Sequence, residues 1–303
     1  MLRWVPVLIL VASGGCHLAD GEPAGPPAFA GMRAVEDPDV HHLIQVSERI
    51  WSGAAPENEA TFAALAARGV RTMVNVDGAR PDLETAAKYG IRYVHIPFGY
   101  DAVDETAALQ IARAMHETEG PIYFHCHHGV HRGPAAAAIA LRVETGATAE
   151  ESEELLRLAK TDPKYAGLWR DVIGFVPPAP DAPLPPLHEV APVGDFVAAM
   201  AKMDREWDRI KLIQAARWAT PAEHPDLAPA KEARILAETF AALDATLAAE
   251  HRADAEFMRM LAAGDRASRA LRDALAAGDH AAADAGFQAL KQSCAACHDG
   301  YRN

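Results

Sequence analysis

Positive charge is in short supply in this chain of 303 residues: 29 Lys and Arg stand against 42 Asp and Glu, a net charge of −13. That balance excludes a general attraction to nucleic acid or to an anionic lipid surface. Long apolar runs are also missing. Past the first dozen residues no stretch approaches the ~20 apolar residues of a transmembrane helix, which excludes a later spanning segment. No internal repeat joins the two halves. Cysteine is scarce, with only Cys16, Cys126, Cys294 and Cys297 present. The length fits two domains. Between them Val176-Pro177-Pro178-Ala179-Pro180, continuing through Pro183, Pro185, Pro186 and Pro192, reads as a semi-rigid extended spacer over 176–193.

The N-terminus has the marks of an export signal. Arg3 gives a short positive region, and Trp4 to Ala12 is an apolar run too short to span a bilayer. Ser13-Gly14-Gly15 then lead to Cys16. This resembles a bacterial lipoprotein cleavage box, although Ser13 stands where an aliphatic residue is usual. The resemblance implies a signal peptide over 1–16, lipidation of Cys16, a periplasmic location and attachment to the membrane by a lipid anchor. Ordinary secretion with an incidental cysteine is the alternative. Residues 17–45, Gly- and Pro-rich from Gly21 to Gly31, would serve as a tether.

The most reactive stretch is His125-Cys126-His127-His128-Gly129-Val130-His131-Arg132. A cysteine followed six positions later by an arginine, with a glycine between, can wrap one anion. The thiol supplies a nucleophile, successive N–H groups line the walls, and the guanidinium grips two oxygens. Pro121-Ile122-Tyr123-Phe124 reads as a buried strand before it. Gly133-Pro134 and the following alanines read as a helix start that points at the anion. The four histidines have two readings, added positive charge for a highly anionic substrate or a metal site. Adjacent histidines in a tight loop point in different directions, which argues against four ligands from this loop alone.

His-Cys, five residues and Arg resembles the signature loop of the cysteine-dependent tyrosine and dual-specificity phosphatases, with a fit over 46–175. Ile50 to Pro56, Gly69 to Val76 and Gly90 to Pro97 resemble the strands of the small bacterial members. Rhodanese-type sulfurtransferases have a loop shorter by one residue. The resemblance implies an α/β domain with a central, mostly parallel sheet and flanking helices. It implies that Cys126 attacks phosphorus, that nearby cations and the helix terminus favour its thiolate, and that Arg132 binds the phosphate and stabilises the transition state. His125, His127, His128, Gly129, Val130 and His131 complete the phosphate-binding loop. The family also needs an upstream carboxylic acid. Asp101 is the preferred candidate and Asp104 the alternate, unless Asp104 is instead the N-cap of a helix starting near Glu105. One departure is Gly133, where the family carries a Ser or Thr whose hydroxyl helps the thiolate leave; turnover is then expected to be slow.

Cys294-Ala295-Ala296-Cys297-His298 is the attachment pattern of a c-type haem. On a helix Cys294 and His298 share a face and Cys297 lies one turn beyond Cys294, so two thioethers and an imidazole can reach one porphyrin. A zinc knuckle would need two further soft ligands, and no other paired cysteines exist. The preceding sequence is helical in pattern, unlike that of a thioredoxin-type redox pair. Phe196, Met200, Met203, Trp207 and Ile210 make one apolar stripe; Leu236, Phe240, Leu243 and Leu247 a second. Phe257 and Leu261 begin a third, and Phe287, Leu290, Cys294, Cys297 and Tyr301 make the last, after a break at Gly278-Asp279. These predict an all-α four-helix bundle over 194–303.

With Tyr301-Arg302 closely following the cysteine motif, the region resembles the cytochrome c′ and c-556 family. That implies one covalent haem c, His298 as proximal iron ligand, and Met203 or Met200 as a possible distal ligand. It also implies a redox partner or a diatomic gas, and a homodimer through the bundle. The expectation is therefore an exported phosphatase acting on a phosphorylated small molecule or phosphoprotein, coupled to haem. Two alternatives stand beside it. One is an electron-transfer or ligand-binding cytochrome whose other domain only binds an oxyanion. The other is a persulfide-carrying redox protein.

Overall fold

The computed structural model describes Met1 and residues 31–302. The expected signal peptide after Met1, Cys16 and the first part of the expected tether lie outside the described residues. Six strands form one sheet: β1 (Arg33–Ala34), β2 (Ile44–Gln45), β3 (Ile50–Ala54), β4 (Thr72–Asn75), β5 (Arg92–His95) and β6 (Ile122–Cys126). Their spatial order is β1-β2-β3-β6-β4-β5. The pairs β1–β2 and β2–β3 are antiparallel, and the pairs among β3, β6, β4 and β5 are parallel. The sheet is mixed, with the parallel part at its centre. Residues 31–45, expected to be tether, instead supply two strands at one end of the sheet, and Val40, Leu43 and Ile44 are buried. Apolar side chains spaced among the polar residues of that stretch give it a face to bury.

Both faces of the sheet are covered, so the central strands are buried throughout. Side chains alternate between the faces. Trp51, Met73, Tyr93 and Tyr123 point towards α1 (Glu59–Ala67) and α2 (Leu83–Lys88), meeting Phe62, Leu65 and Ala86. Ile50, Val74, Val94, Ile122 and Phe124 face α3 (Glu105–Glu117), α4 (Arg132–Thr145), α5 (Ala149–Leu158) and α6 (Ala166–Gly174). In α4 the run Ala135 to Ala138 is fully buried. Side chains this small let the helix approach the sheet closely, directly behind the loop that precedes it.

The remaining helices are α7 (Asp195–Ala215), α8 (Pro229–Ala242), α9 (Ala249–Ala253), α10 (Ala255–Ala277) and α11 (His280–Tyr301). The second stripe does not stay α-helical to its end: α8 gives way to a 3₁₀ turn over Leu243–Thr246. Gly278 closes α10, and the Asp279 carboxylate accepts from Ala282 N to open α11. Met203, Ile210, Leu236, Phe240, Leu271, Phe287 and Leu290 form the core of this all-α region. The proline-rich stretch before α7 is docked along its course. His95 N donates to His188 O at 2.8 Å, and Ala191 N donates to His95 Nδ1 at 3.1 Å. Gln110 and Arg113 of α3 donate to the carbonyls of Pro186, Leu184 and Pro185. No helix among the described residues is long and apolar enough to cross a membrane.

Candidate active site

Cys126 is the last residue of β6 and Arg132 the first of α4, so the loop between them sits at the C-terminal edge of the parallel strands. This edge is where open α/β sheets bind ligands. Gly129 makes the turn possible: its φ is +71°, and a Cβ there would lie 2.2 Å from the Gly53 carbonyl carbon. The loop's carbonyls point outward to partners. His127 O accepts from Ala55 N at 3.0 Å, His128 O from His42 Nδ1 at 2.6 Å, and Val130 O from Thr161 Oγ1 at 2.7 Å. The N–H groups of residues 127–131 have no acceptor among the described residues. Successive N–H groups with their carbonyls turned away form an anion-binding concavity.

Cys126 is buried, as a free thiol. The Arg132 guanidinium is buried too, donating to Phe98 O at 3.3 Å and to the Tyr100 hydroxyl at 3.2 Å, while its Nε has no partner. A buried donor without an acceptor costs about 1–3 kcal/mol or more, so Nε is a place for an anion's oxygen. Asp77, a residue the sequence did not single out, is buried within reach of the Arg132 charge. Burial pushes its carboxyl up, but the Arg132 and Arg205 guanidiniums and the Ala79 N–H outweigh this and hold it down at about 2. Tyr100, also not foreseen, is held between two guanidiniums, with Arg132 4.3 Å and Arg302 4.5 Å from its ring centre.

The two acid candidates separate. Asp104 is the N-cap of α3, its carboxylate accepting from Ala107 N at 2.8 Å, which gives it the structural task offered as its other reading. Asp101 is exposed on the loop after β5. Its backbone is clamped by α6: Arg170 Nη2 donates to Asp101 O, and Val103 N donates to the Asp171 carboxylate.

The histidines diverge, and most do not add charge. His125 is buried against Tyr93, whose hydroxyl lies 3.1 Å from Nε2, and burial depresses its pKa to about 3. His131 packs by Tyr165 and accepts from Asp162 N; burial and Arg302 bring it down to about 4. Burial and His127 lower His128 as well. Burial thus disfavours the cationic form of all three, which argues against their adding charge to the loop. His127 turns to α7, with Nε2 2.6 Å from Asp208 Oδ2.

At the other motif, Cys294, Cys297 and His298 lie on α11. Cys294, Met200 and Trp207 each pack on the helical core that contains Met203. Met203 is buried and Met200 half-buried, so both also serve as core filler.

Residues 49–147 match the family model described as "Polymorphic toxin system, DSP-PTPase phosphatase". This part of the chain is similar to dual-specificity phosphatases. The dual specificity protein phosphatase TpbA of Pseudomonas aeruginosa (strain UCBPP-PA14) is 32% identical over 146 residues, which are 46% of this chain and 64% of the relative. The chain thus spans under two thirds of that relative's length. A crystal structure of P. aeruginosa TpbA is 26% identical and covers 48% of this chain and 97% of its own, with a TM-score of 0.37. A TpbA structure in complex with pTyr is 25% identical, covers 49% and 98%, and has the same TM-score of 0.37.

Proposed function

We propose that the chain is an exported phosphatase that hydrolyses a phosphomonoester through a covalent Cys126 phosphoenzyme, and that α11 carries a covalently bound haem c. One observation carries the first half: the loop turns its carbonyls out and its N–H groups in, around a buried thiol and an unpartnered Arg132 Nε. In the first step the Cys126 sulfur bonds to phosphorus as the ester oxygen leaves with a proton from Asp101. In the second, water attacks phosphorus, Asp101 takes its proton, and the P–S bond breaks. Arg132 holds the equatorial oxygens in both. A would-be Cβ at Gly133 lies 3.1 Å from Cys126 N, yet the position offers no hydroxyl to the departing sulfur. The second step is therefore slow. The TpbA complex makes a phosphotyrosyl ester the first substrate to try.

The donor set suits the haem. Burial pushes the Cys294 thiol up to about 11 and raises that of Cys297, so both are neutral free thiols. Cys294 and Cys297 would hold the group, His298 would be an iron ligand, and Met203 or Met200 is the candidate for a second one. When bound, it would supply one-electron redox chemistry or a site for a diatomic gas. Export, lipidation of Cys16 and pairing through a four-helix bundle belong to the same proposal.

A second reading, in which the loop binds an oxyanion without turnover, is favoured by Gly133 and by the hold of Phe98 O and Tyr100 on Arg132. Phosphate release from p-nitrophenyl phosphate decides between them. Wild type is expected to release it and Cys126→Ser to lose essentially all activity, whereas phosphate binding without release would select the second reading. For the haem, the absorption spectrum of matured protein should show covalent haem that Cys294→Ala with Cys297→Ala abolishes. A spectrum without haem bands overturns that half.

A further inference from the structure

The loop's remaining histidines meet α7 in a cluster that the phosphatase chemistry does not use. His127 Nε2 is 2.6 Å from Asp208 Oδ2, and His128 Nδ1 is 3.9 Å from the same oxygen. Asp204, one turn earlier on the same face of α7, brings a carboxylate oxygen within 4.8 Å of donor atoms of both histidines. The two imidazole rings lie 4.3 Å apart, centre to centre, and are tilted by 42°. We propose that His127, His128, Asp204 and Asp208 bind one divalent transition-metal ion, zinc above all, and that the ion fastens the phosphate loop to α7. The proposal depends on neither phosphatase activity nor haem.

The donor chemistry narrows the class. Two imidazoles with two carboxylates suit zinc and its neighbours better than calcium or magnesium, which take mainly oxygen. Bonds of about 2.0–2.1 Å in a tetrahedral site set ligand atoms ~3.3 Å apart. The donor atoms of His127, His128 and Asp204 already lie within 4.8 Å of one another, and Asp208 Oδ2 lies 2.6 Å and 3.9 Å from the two imidazoles, so side-chain rotation draws them onto one ion. Two carboxylates balance the ion's charge, and with the metal on Nε2 the neutral His127 ring carries its one proton on Nδ1. Lys211 pairs with Asp208 through Oδ1, which leaves Oδ2 as the ligand atom. His125 and His131 are committed to Tyr93 and Asp162 and take no part.

The test is equilibrium dialysis of the full chain against zinc alone, with metal counted per chain. Wild type and Cys126→Ser are expected to hold the zinc equally, while Asp204→Asn with Asp208→Asn, and separately His128→Gln, weaken it by about a hundredfold or more. Zinc-edge X-ray absorption should show a nitrogen and oxygen shell at about 2.0 Å. A sulfur shell at about 2.3 Å, unchanged binding in the aspartate variant, or loss of binding in Cys126→Ser overturns the proposal. So does a wild-type chain that retains no zinc. Circular dichroism establishes that each variant is folded before it is counted.

Discussion

His125 is a base kept neutral by its surroundings, and that has a cost in acid. Its folded pKa is about 3 because burial disfavours the cation, whereas in the unfolded chain it titrates near 6.5. As pH falls below 6.5 the unfolded state binds a proton that the folded state refuses, so stability is lost until the pH reaches about 3. The full loss is of the order of 4–5 kcal/mol. The urea midpoint should drop between pH 7 and 5, and His125→Gln should flatten that slope; an equal slope in the variant would show that other groups set it. At this scale the sequence displayed the nucleophile and the arginine clearly, because both belong to one short segment. Asp77 and Tyr100 stayed hidden, since nothing near them in the chain marks their approach to Arg132. The spacing of the histidines was visible, but their charge was not, because burial sets it.

The loop bearing Asp101 is positioned by a helix that follows the active-site loop in sequence. Gly167 of α6 lies so close that an added Cβ would sit 1.5 Å from the Asp101 carbonyl oxygen. An exposed helical Gly→Ala would stabilise the protein by up to about 1 kcal/mol; here it must push the Asp101 peptide aside. Gly167→Ala is thus expected to slow hydrolysis of phenyl phosphate about 10²-fold or more, as loss of a general acid does. It should spare p-nitrophenyl phosphate, whose leaving group needs no proton. Equal losses on both esters would mean that Asp101 is not the acid. Helix periodicity and the Gly278-Asp279 break let the sequence place the long C-terminal helices. It misplaced residues 31–45, and it placed the proline stretch without showing that it is docked, because these contacts come from the sheet and α3 rather than from local propensity. Asp104 shows the same limit from the other side: a cap and a catalytic acid look alike until the helix is seen.

Across the whole molecule, α7 ties the helical region to the sheet at the loop that does the chemistry. Arg205 Nη2 reaches Asp77 Oδ2 at 3.4 Å, and Asp208 receives His127. Asp77 is 2% exposed, so it depends on its cations. Removing Arg205 leaves that carboxylate with Arg132 as its remaining guanidinium and withdraws part of the pull that holds Asp77 at about 2. A charged hydrogen bond lost in this way costs about 1.5–3 kcal/mol. The sign with pH follows from the depressed carboxyl. Its contribution is present above the unfolded value near 3.8 and is lost as pH falls through about 2. Arg205→Ala should therefore be less stable than wild type at pH 7 by urea titration, with the gap closing between pH 4 and 2. Because the Asp77 carboxylate also interacts by charge with Arg132, the variant should bind inorganic phosphate more weakly at pH 7 although α7 supplies no group to the anion. A variant with reduced stability but unchanged phosphate affinity would mean that the helices support the fold without shaping the site.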